Sequence, residues 1–145
     1  MDTSAFIDDP RIIQHIQDYL SEVPNYTPAE IYDKIETYGY IGQKQAKKAM
    51  SLFAYRHVNR LRKIYFEYID EATLPSKDNF LLIGPTGCGK TFLIEILFKH
   101  ILKLPTVIID ITSYSETGYV GQDPVSILTR LIYAAEKDQY LASIG

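Results

Sequence analysis

The residues best suited to chemistry form one short stretch, Gly84-Pro85-Thr86-Gly87-Cys88-Gly89-Lys90-Thr91. This stretch fits Gly-x-x-x-x-Gly-Lys-[Ser/Thr], the pattern of a phosphate-binding P-loop. Its glycines let successive backbone N–H groups turn toward a polyphosphate without β-carbon clashes. Lys90 is spaced to reach the β- and γ-phosphates, and the Thr91 hydroxyl to ligate Mg²⁺. We therefore predict a nucleotide site. The alternative, a plain glycine turn, needs neither Lys90 nor Thr91.

Two apolar runs and a helix are expected to position this loop. Residues 80–83 before it have the pattern of a buried strand, and residues 91–103 after it the pattern of a helix. The free N–H groups and positive dipole end of that helix favour phosphate. Residues 107–111 have the unbroken apolarity of a parallel strand. Strand, helix and strand predict a right-handed crossover, so the expected fold class is α/β, a three-layer sandwich with parallel strands.

Short helices are predicted before this unit. Asp9 is a predicted N-cap followed by Pro10, and residues 27–30 form a predicted capping box. A longer helix is expected from Gln43 to about Tyr68. Its apolar stripe, at three- or four-residue spacing, is Ala46, Met50, Phe53, His57, Leu61, Ile64 and Tyr68. The bases of this region are Lys44, Lys47, Lys48, Arg56, Arg60, Arg62 and Lys63. We interpret them as a solvated face; a subunit contact or a nucleotide-facing surface is the alternative.

The composition indicates an ordinary soluble protein. The 145 residues are 46% hydrophobic and 23% charged, with a net charge of −3, enough for one domain with a core. That charge gives no reason to expect nucleic acid or an anionic membrane as partner. No apolar run approaches membrane-spanning length, and the N-terminus lacks a signal-peptide pattern. A cytoplasmic location is expected.

Cys88 is the single cysteine, which excludes an internal disulfide and a cysteine-rich zinc module. It stands inside the glycine-rich loop, next to the predicted start of a helix. A thiol near helix N–H groups can have a lowered pKa and be oxidisable. We interpret Cys88 instead as a small residue that fills space in the loop.

Three stretches, taken in order, resemble ClpX-type and HslU-type AAA+ unfoldases. Residues 40–48 look like the segment that opens their ATPase module, residues 82–91 match their P-loop and its spacing, and residues 118–121 match their pore loop. The similarity covers roughly residues 27–138. By this resemblance residues 1–26 are a helical lead-in. Residues 27–145 are then the N-terminal part of an AAA+ ATPase domain, and the expected cofactors are ATP and Mg²⁺.

The resemblance also implies residue roles. Tyr40 and Ile41 match positions that pack around adenine, and Phe92 is a further candidate for that pocket. An aromatic and a β-branched residue on a turn are physically suited to hold a base, although core packing is the alternative role. Gly118-Tyr119-Val120-Gly121 matches the loop that lines the channel of a ring-shaped hexamer. Tyr119 would press on a substrate polypeptide; the alternative is a mobile loop with one exposed aromatic residue.

The sequence departs from the family in two ways. It has no four-cysteine zinc domain, and no strand ending in the paired Walker B acids, sensor residues, arginine finger or lid helices is found. Asp110 ends a predicted strand but does not match the Walker B position. We therefore expect the 145-residue chain to bind ATP without efficient hydrolysis, since arginine fingers alone contribute about 10³–10⁵ in rate.

Three functions are compatible with these motifs. The first is the ATP-binding part of a ClpX-like unfoldase or chaperone, a hexamer that acts on protein substrates and feeds a Clp-type peptidase. The second is a non-catalytic P-loop fragment that associates with ring partners. The third is another P-loop ATPase, such as a small-molecule kinase or a DNA-remodelling enzyme. The pore-loop match favours the first.

Overall fold

A computed structural model describes residues 9–114 and 123–145. Every regular element in these residues is helical, and the chain divides into two compact units, Met1–Lys103 and Leu104–Gly145. The first unit contains α1 (Pro10–Glu22), α2 (Pro28–Thr37), α3 (Lys44–Tyr65) and α4 (Lys90–Ile94), the last continued by a π-helical segment. The second contains α5 (Ser126–Ala134) and α6 (Gln139–Ala142).

The first two helices begin at the caps that the sequence predicts. Asp9 Oδ1 accepts a hydrogen bond from the Arg11 amide at 2.9 Å, with Pro10 in the first turn of α1. Thr27 and Glu30 form a reciprocal capping box, in which the Thr27 amide donates to Glu30 Oε2 at 2.7 Å. Each cap satisfies N–H groups that a helix start leaves without an intrahelical partner. Local sequence therefore fixes where α1 and α2 begin.

The α1 helix packs on the elements that follow it. Gln17 Nε2 donates to the Tyr65 carbonyl at the end of α3, at 2.6 Å, and the Tyr19 hydroxyl donates to the Lys103 carbonyl at 2.6 Å. Ile16 and Leu20 supply its buried face. The helix therefore shares a core with the rest of the first unit.

The α3 helix is the longest element of the first unit. Its buried face differs from the predicted stripe by about one position, because Lys47, Ser51, Ala54 and Val58 join Met50 and Leu61 inside. Phe53 and His57 are only partly buried. The prediction of a solvated basic face is therefore wrong at Lys47, and Arg60, Arg62 and Lys63 are only partly exposed.

The helix after the glycine-rich loop begins as predicted and then changes geometry. The α4 helix runs for five residues and a π-helical segment, Glu95–Ile101, continues it. The Leu102 amide donates to the Leu97 carbonyl at 3.1 Å, the five-residue spacing of a π-helix. Leu93, Ile96, Leu97 and Ile101 are buried along this continuous element. It carries much of the core of the first unit.

The predicted parallel-strand sandwich is wrong. Residues 9–114 and 123–145 contain helices but no strand. Residues 80–83 are irregular, with Leu81 81% and Ile83 88% exposed, and Ile111 starts a 3₁₀ turn, Ile111–Ser113. An apolar, β-branched run indicates that a segment can form a strand, but a strand exists only when a neighbour completes its ladder. Neither run has a paired neighbour in the described part of the chain.

The second unit is small. Within it Leu104, Ala135, Ala142 and Ile144 are buried. The Asp123 carboxylate accepts from the Val125 amide at 2.9 Å just before α5, and Asp138 Oδ1 accepts from the Tyr140 and Leu141 amides at the start of α6. Val125, just before α5, and Leu128, in its first turn, are both exposed.

Candidate functional site

The glycine-rich loop is an open turn that leads directly into α4. Gly87 and Gly89 have φ of +84° and +90°, values at which a β-carbon is strained. Gly89 is the N-cap residue of α4. Apart from a bond from the Cys88 amide to the Pro85 carbonyl at 3.3 Å, no amide of residues 86–89 donates to another described backbone carbonyl. The loop thus presents free N–H groups, the donor type that binds phosphate oxygens.

Lys90 turns back over this loop. Its Nζ donates to the Gly84 carbonyl at 2.6 Å and to the Pro85 carbonyl at 2.9 Å. The ammonium group has no carboxylate partner among the described residues. The positive charge of Lys90 therefore lies beside the loop with only neutral acceptors, and an anion would be a stronger partner for it.

Cys88 fills space beside this lysine. A β-carbon built on Gly84 would lie 2.8 Å from Cys88 Sγ, and Lys90 Nζ lies 3.7 Å from the same sulfur. The thiol is partly buried. Its packing agrees with the space-filling role expected for it.

Tyr40 packs against the loop from the turn between α2 and α3. A β-carbon on Gly89 would lie 3.0 Å from Tyr40 Cε2 and 3.2 Å from its hydroxyl oxygen. The Tyr40 and Phe92 ring centroids are 5.9 Å apart. Burial, and after it repulsion from the negative charge of the Cys88 thiolate, raises the pKa of the Tyr40 phenol above its ordinary value.

The three residues predicted to surround adenine differ in placement. Tyr40 is 5% exposed and Phe92 half exposed, and the two rings lie together beside the loop. Ile41 is 90% exposed. The structure thus brings Tyr40 and Phe92 to the loop and leaves Ile41 free; adenine contact by any of them stays a prediction.

The sequence did not single out two residues that support this arrangement, Lys47 and Glu36. Lys47 Nζ is ion-paired with the Glu36 carboxylate and lies 3.4 Å from the Tyr40 carbonyl oxygen. Hydrogen bonding to Lys47 lowers the pKa of Glu36, and the same bond raises the pKa of Lys47. The spacing of Lys47 to Ser51, Ala54 and Val58 places it on the buried face, which was the available signal.

The residues at this loop fit a nucleotide with its magnesium ion. Thr91 is exposed at the first turn of α4, so its hydroxyl is open to a metal ion, and Lys90 carries the charge that polyphosphate requires. In the described ranges no cluster of three or more histidine, cysteine, aspartate or glutamate side chains could hold a metal ion. Thr91 is the residue of this loop that would ligate a magnesium ion held by the phosphates.

The proposed pore loop, Gly118-Tyr119-Val120-Gly121, lies outside the described residues. Among the helices that the structure describes, none has the length and apolarity needed to span a membrane.

Comparison with known proteins places the chain in a family. Residues 80–143 match the profile of the ATPase family associated with various cellular activities (AAA). The chain is also 41% identical over 118 residues to the ATP-dependent Clp protease ATP-binding subunit ClpX of Porphyromonas gingivalis, an alignment that covers 81% of this chain. It spans 28% of the length of that relative. No solved structure matches. The AAA match and the identity to ClpX together show that this chain is a ClpX-like member of the AAA ATPase family.

Proposed function

We propose that residues 84–91 bind ATP with Mg²⁺. The observation that carries this proposal is the position of Lys90, whose ammonium group bonds only to neutral acceptors, the Gly84 and Pro85 carbonyls among them, beside free backbone N–H groups. Polyphosphate would replace those carbonyls as the partner of Lys90, because a charge-assisted bond to phosphate is stronger than one to a neutral carbonyl. Thr91 would ligate the metal ion.

Tyr40, Ile41 and Phe92 are proposed contacts of the adenine. Tyr40 and Phe92 lie beside the loop, and the exposed Ile41 is free to cover a base that enters next to them. Apolar and aromatic side chains are the usual lining of such pockets, with a few polar groups for orientation. Binding of the base would bury Ile41.

Thermal unfolding of the 145-residue chain with and without ATP–Mg²⁺ tests the proposal. ATP at about one hundred times its Kd should stabilise the folded state by about 2.7 kcal/mol. Lys90→Ala should remove most of this shift. Lys99→Ala, an exposed lysine on the π-helical segment, is the matched control and should keep it. If ATP–Mg²⁺ leaves the melting temperature of the wild-type chain unchanged, nucleotide binding is refuted and a non-catalytic fragment is favoured.

The wider activity is proposed from the relative. That protein is named as an ATP-dependent Clp protease ATP-binding subunit. We propose that this sequence acts within a cytoplasmic ClpX-like unfoldase, a homo-hexamer that uses ATP to unfold protein substrates and delivers them to a Clp-type peptidase. A ring of this kind surrounds its substrate, so loops such as residues 118–121 could grip one chain from several sides.

Tyr119 tests this wider proposal. In a subunit of ClpX length that contains this sequence, Tyr119→Ala should leave ATP hydrolysis largely intact and slow the unfolding of a tagged substrate. Tyr133→Ala, an exposed tyrosine on α5, serves as the control. Unchanged substrate processing in the Tyr119 variant would refute the pore-loop role.

A further inference from the structure

Lys47 is a buried cation that lies outside the glycine-rich loop, in a cluster with Glu36, Tyr32 and the Tyr40 carbonyl. It is 2% exposed, its Nζ is paired with the Glu36 carboxylate, and it lies 5.0 Å from the centre of the Tyr32 ring. Burying a charge is costly unless it is paired and hydrogen-bonded. The cost is compensated here by groups from α2 and from the turn before α3, so Lys47 ties those two elements together.

The turn that Lys47 holds has an unusual backbone. Gln43, the residue before α3, has φ of +49°, a left-handed conformation that costs a non-glycine residue energy. The Lys47 amide donates to the Gln43 carbonyl at 2.9 Å, and Lys47 Nζ lies 3.4 Å from the Tyr40 carbonyl oxygen. Lys47 thus contacts both the left-handed residue itself and Tyr40, three residues before it. It helps to fix the backbone from which the Tyr40 ring projects.

The Tyr40 ring in turn touches the nucleotide loop. It lies against Gly89 and stacks obliquely beside Phe92. The path from Lys47 to the loop therefore has two steps, a polar contact to the Tyr40 backbone and a van der Waals contact from the Tyr40 ring to Gly89. We propose that Lys47 is a positioning residue of the nucleotide site, acting through Tyr40 with Glu36 as its counter-ion. This inference rests on the proposed binding of ATP at residues 84–91.

A purely structural role would look different in solution. Loss of the Lys47–Glu36 ion pair lowers the stability of the fold, and that effect alone leaves the affinity of each folded molecule for ATP unchanged. A positioning role changes the affinity of the folded molecule, because Tyr40 and Gly89 leave their productive places. The distinguishing measurement is therefore ATP affinity well below the melting temperature.

The variants for the test are Lys47→Met, Lys47→Arg and Glu36→Gln in the 145-residue chain, with Lys48→Met as the control. Lys48 is the neighbouring lysine on α3 and is exposed. By calorimetric titration with ATP–Mg²⁺, Lys47→Met should bind about tenfold more weakly, the scale typical of residues that orient a ligand-binding group. Lys47→Arg should recover much of the loss, since it keeps the charge, and Lys48→Met should bind as the wild type does.

A double-mutant cycle shows whether Lys47 acts through Tyr40. In a Tyr40→Leu background, Lys47→Met should cost little further affinity, because the ring that transmits its effect is gone. Two independent losses would contradict the proposed path. Should Lys47→Met fail to fold, Glu36→Gln, which keeps the shape of the acceptor, carries the same test with a smaller expected loss of about threefold.

The outcomes separate this inference from the proposal it rests on. If the wild-type chain binds ATP and folded Lys47→Met binds equally well, the positioning role is refuted while nucleotide binding stands. If the wild-type chain and Lys90→Ala bind alike, nucleotide binding at this loop is refuted and the role of Lys47 with it. Weaker binding by folded Lys47→Met, rescued by arginine, supports both.

Discussion

The ring of Tyr40 lies so close to Gly89 that a β-carbon there would be 3.0 Å from Tyr40 Cε2. Gly89 is the left-handed N-cap residue of α4, and the Tyr40 ring also packs against it. The position therefore has two reasons to be glycine, one in the backbone and one in packing. Since Gly89 belongs to the glycine-rich loop, the shape of the candidate site depends on a turn that lies more than forty residues earlier in the chain.

Gly89→Ala is expected to destabilise the fold more than Gly87→Ala. Both substitutions place alanine at a positive φ, which costs about 1–2 kcal/mol. A β-carbon at Gly87 meets nothing within 4 Å, whereas at Gly89 it meets Tyr40. Crowding of this kind typically adds about 1–3 kcal/mol. Urea unfolding of the two variants measures the difference; equal losses would contradict the packing argument.

The tyrosine itself provides a check on this prediction. In a Tyr40→Leu background the smaller side chain leaves room at Gly89, so the extra cost of Gly89→Ala over Gly87→Ala should shrink. Contacting residues show such non-additivity, and distant ones do not. If the extra cost persists without the ring, the strain lies in the backbone alone.

The Lys47–Glu36 pair should make the free energy of unfolding depend on pH in both the acidic and the alkaline range. Glu36 has its pKa lowered from 4.5 by Lys47, so its contribution is present above that value and is lost as the pH falls through the folded-state pKa. Lys47 has its pKa raised from 10.5, so its contribution is present below that value and is lost as the pH rises through the folded-state pKa.

Urea unfolding between about pH 7 and about pH 3 measures the acid limb of this dependence. Wild type should exceed Glu36→Gln in stability near neutrality, and the difference should shrink on acidification. Glu22→Gln serves as the control, because Glu22 is exposed at the end of α1 and forms no salt bridge with a described residue. A difference that stays constant with pH would mean that Glu36 acts through packing rather than charge.

The capping box of α2 yields a third prediction. Thr27→Ala removes the acceptor of the Glu30 amide and should lower the free energy of unfolding by about 1 kcal/mol. Ser21→Ala is the control, since the Ser21 hydroxyl donates to the Asp18 carbonyl at an exposed site. Urea unfolding compares the two. Equal effects would show that the cap contributes nothing specific.

The features that sequence predicted well are local. Asp9 and Thr27 cap helices with partners two or three residues away, so their pattern is visible in the chain itself. The helical spacing of Lys47 pointed to the buried face, but its counter-ion could not be predicted in the same way, because Glu36 is eleven residues away across a turn. The charge of a lysine favours the surface unless a partner is known, and the partner becomes known only in three dimensions.

The prediction of two strands was wrong for a related reason. Residues 80–83 and 107–111 have the composition of buried strands, and composition reports the preference of one segment. Pairing depends on a second segment at the right register. In the described residues, the first run instead contacts a helix, where the Phe80 and Phe53 rings lie 4.4 Å apart. The placement of the glycine-rich loop next to a helix start was predictable from the sequence, whereas the predicted sheet is absent from the described residues.

Arg60 bonds to the segment that leads into the glycine-rich loop, at Glu71 and Pro75. Its replacement by lysine is expected to make local opening of that segment more frequent. The guanidinium donates to the Pro75 carbonyl and to Glu71 Oε1, the latter at 3.0 Å, with the side chain 13% exposed. A lysine ammonium cannot reach both acceptors with the geometry of a planar fork. One lost hydrogen bond of about 1 kcal/mol raises the population of the opened segment about fivefold.

Limited digestion with chymotrypsin measures this opening, because Arg60→Lys changes no chymotryptic site. Cleavage after Phe80, the chymotryptic site at the end of this segment, should be about fivefold faster in Arg60→Lys, since slow cleavage follows the population of the open form. Arg56→Lys is the control: Arg56 pairs with Asp78 at 3.2 Å, but its side chain is 56% exposed, so its ion pair is worth less. Equal rates in the two variants would show that Arg60 does not hold the segment, and faster cleavage in Arg56→Lys alone would assign that role to the outer ion pair.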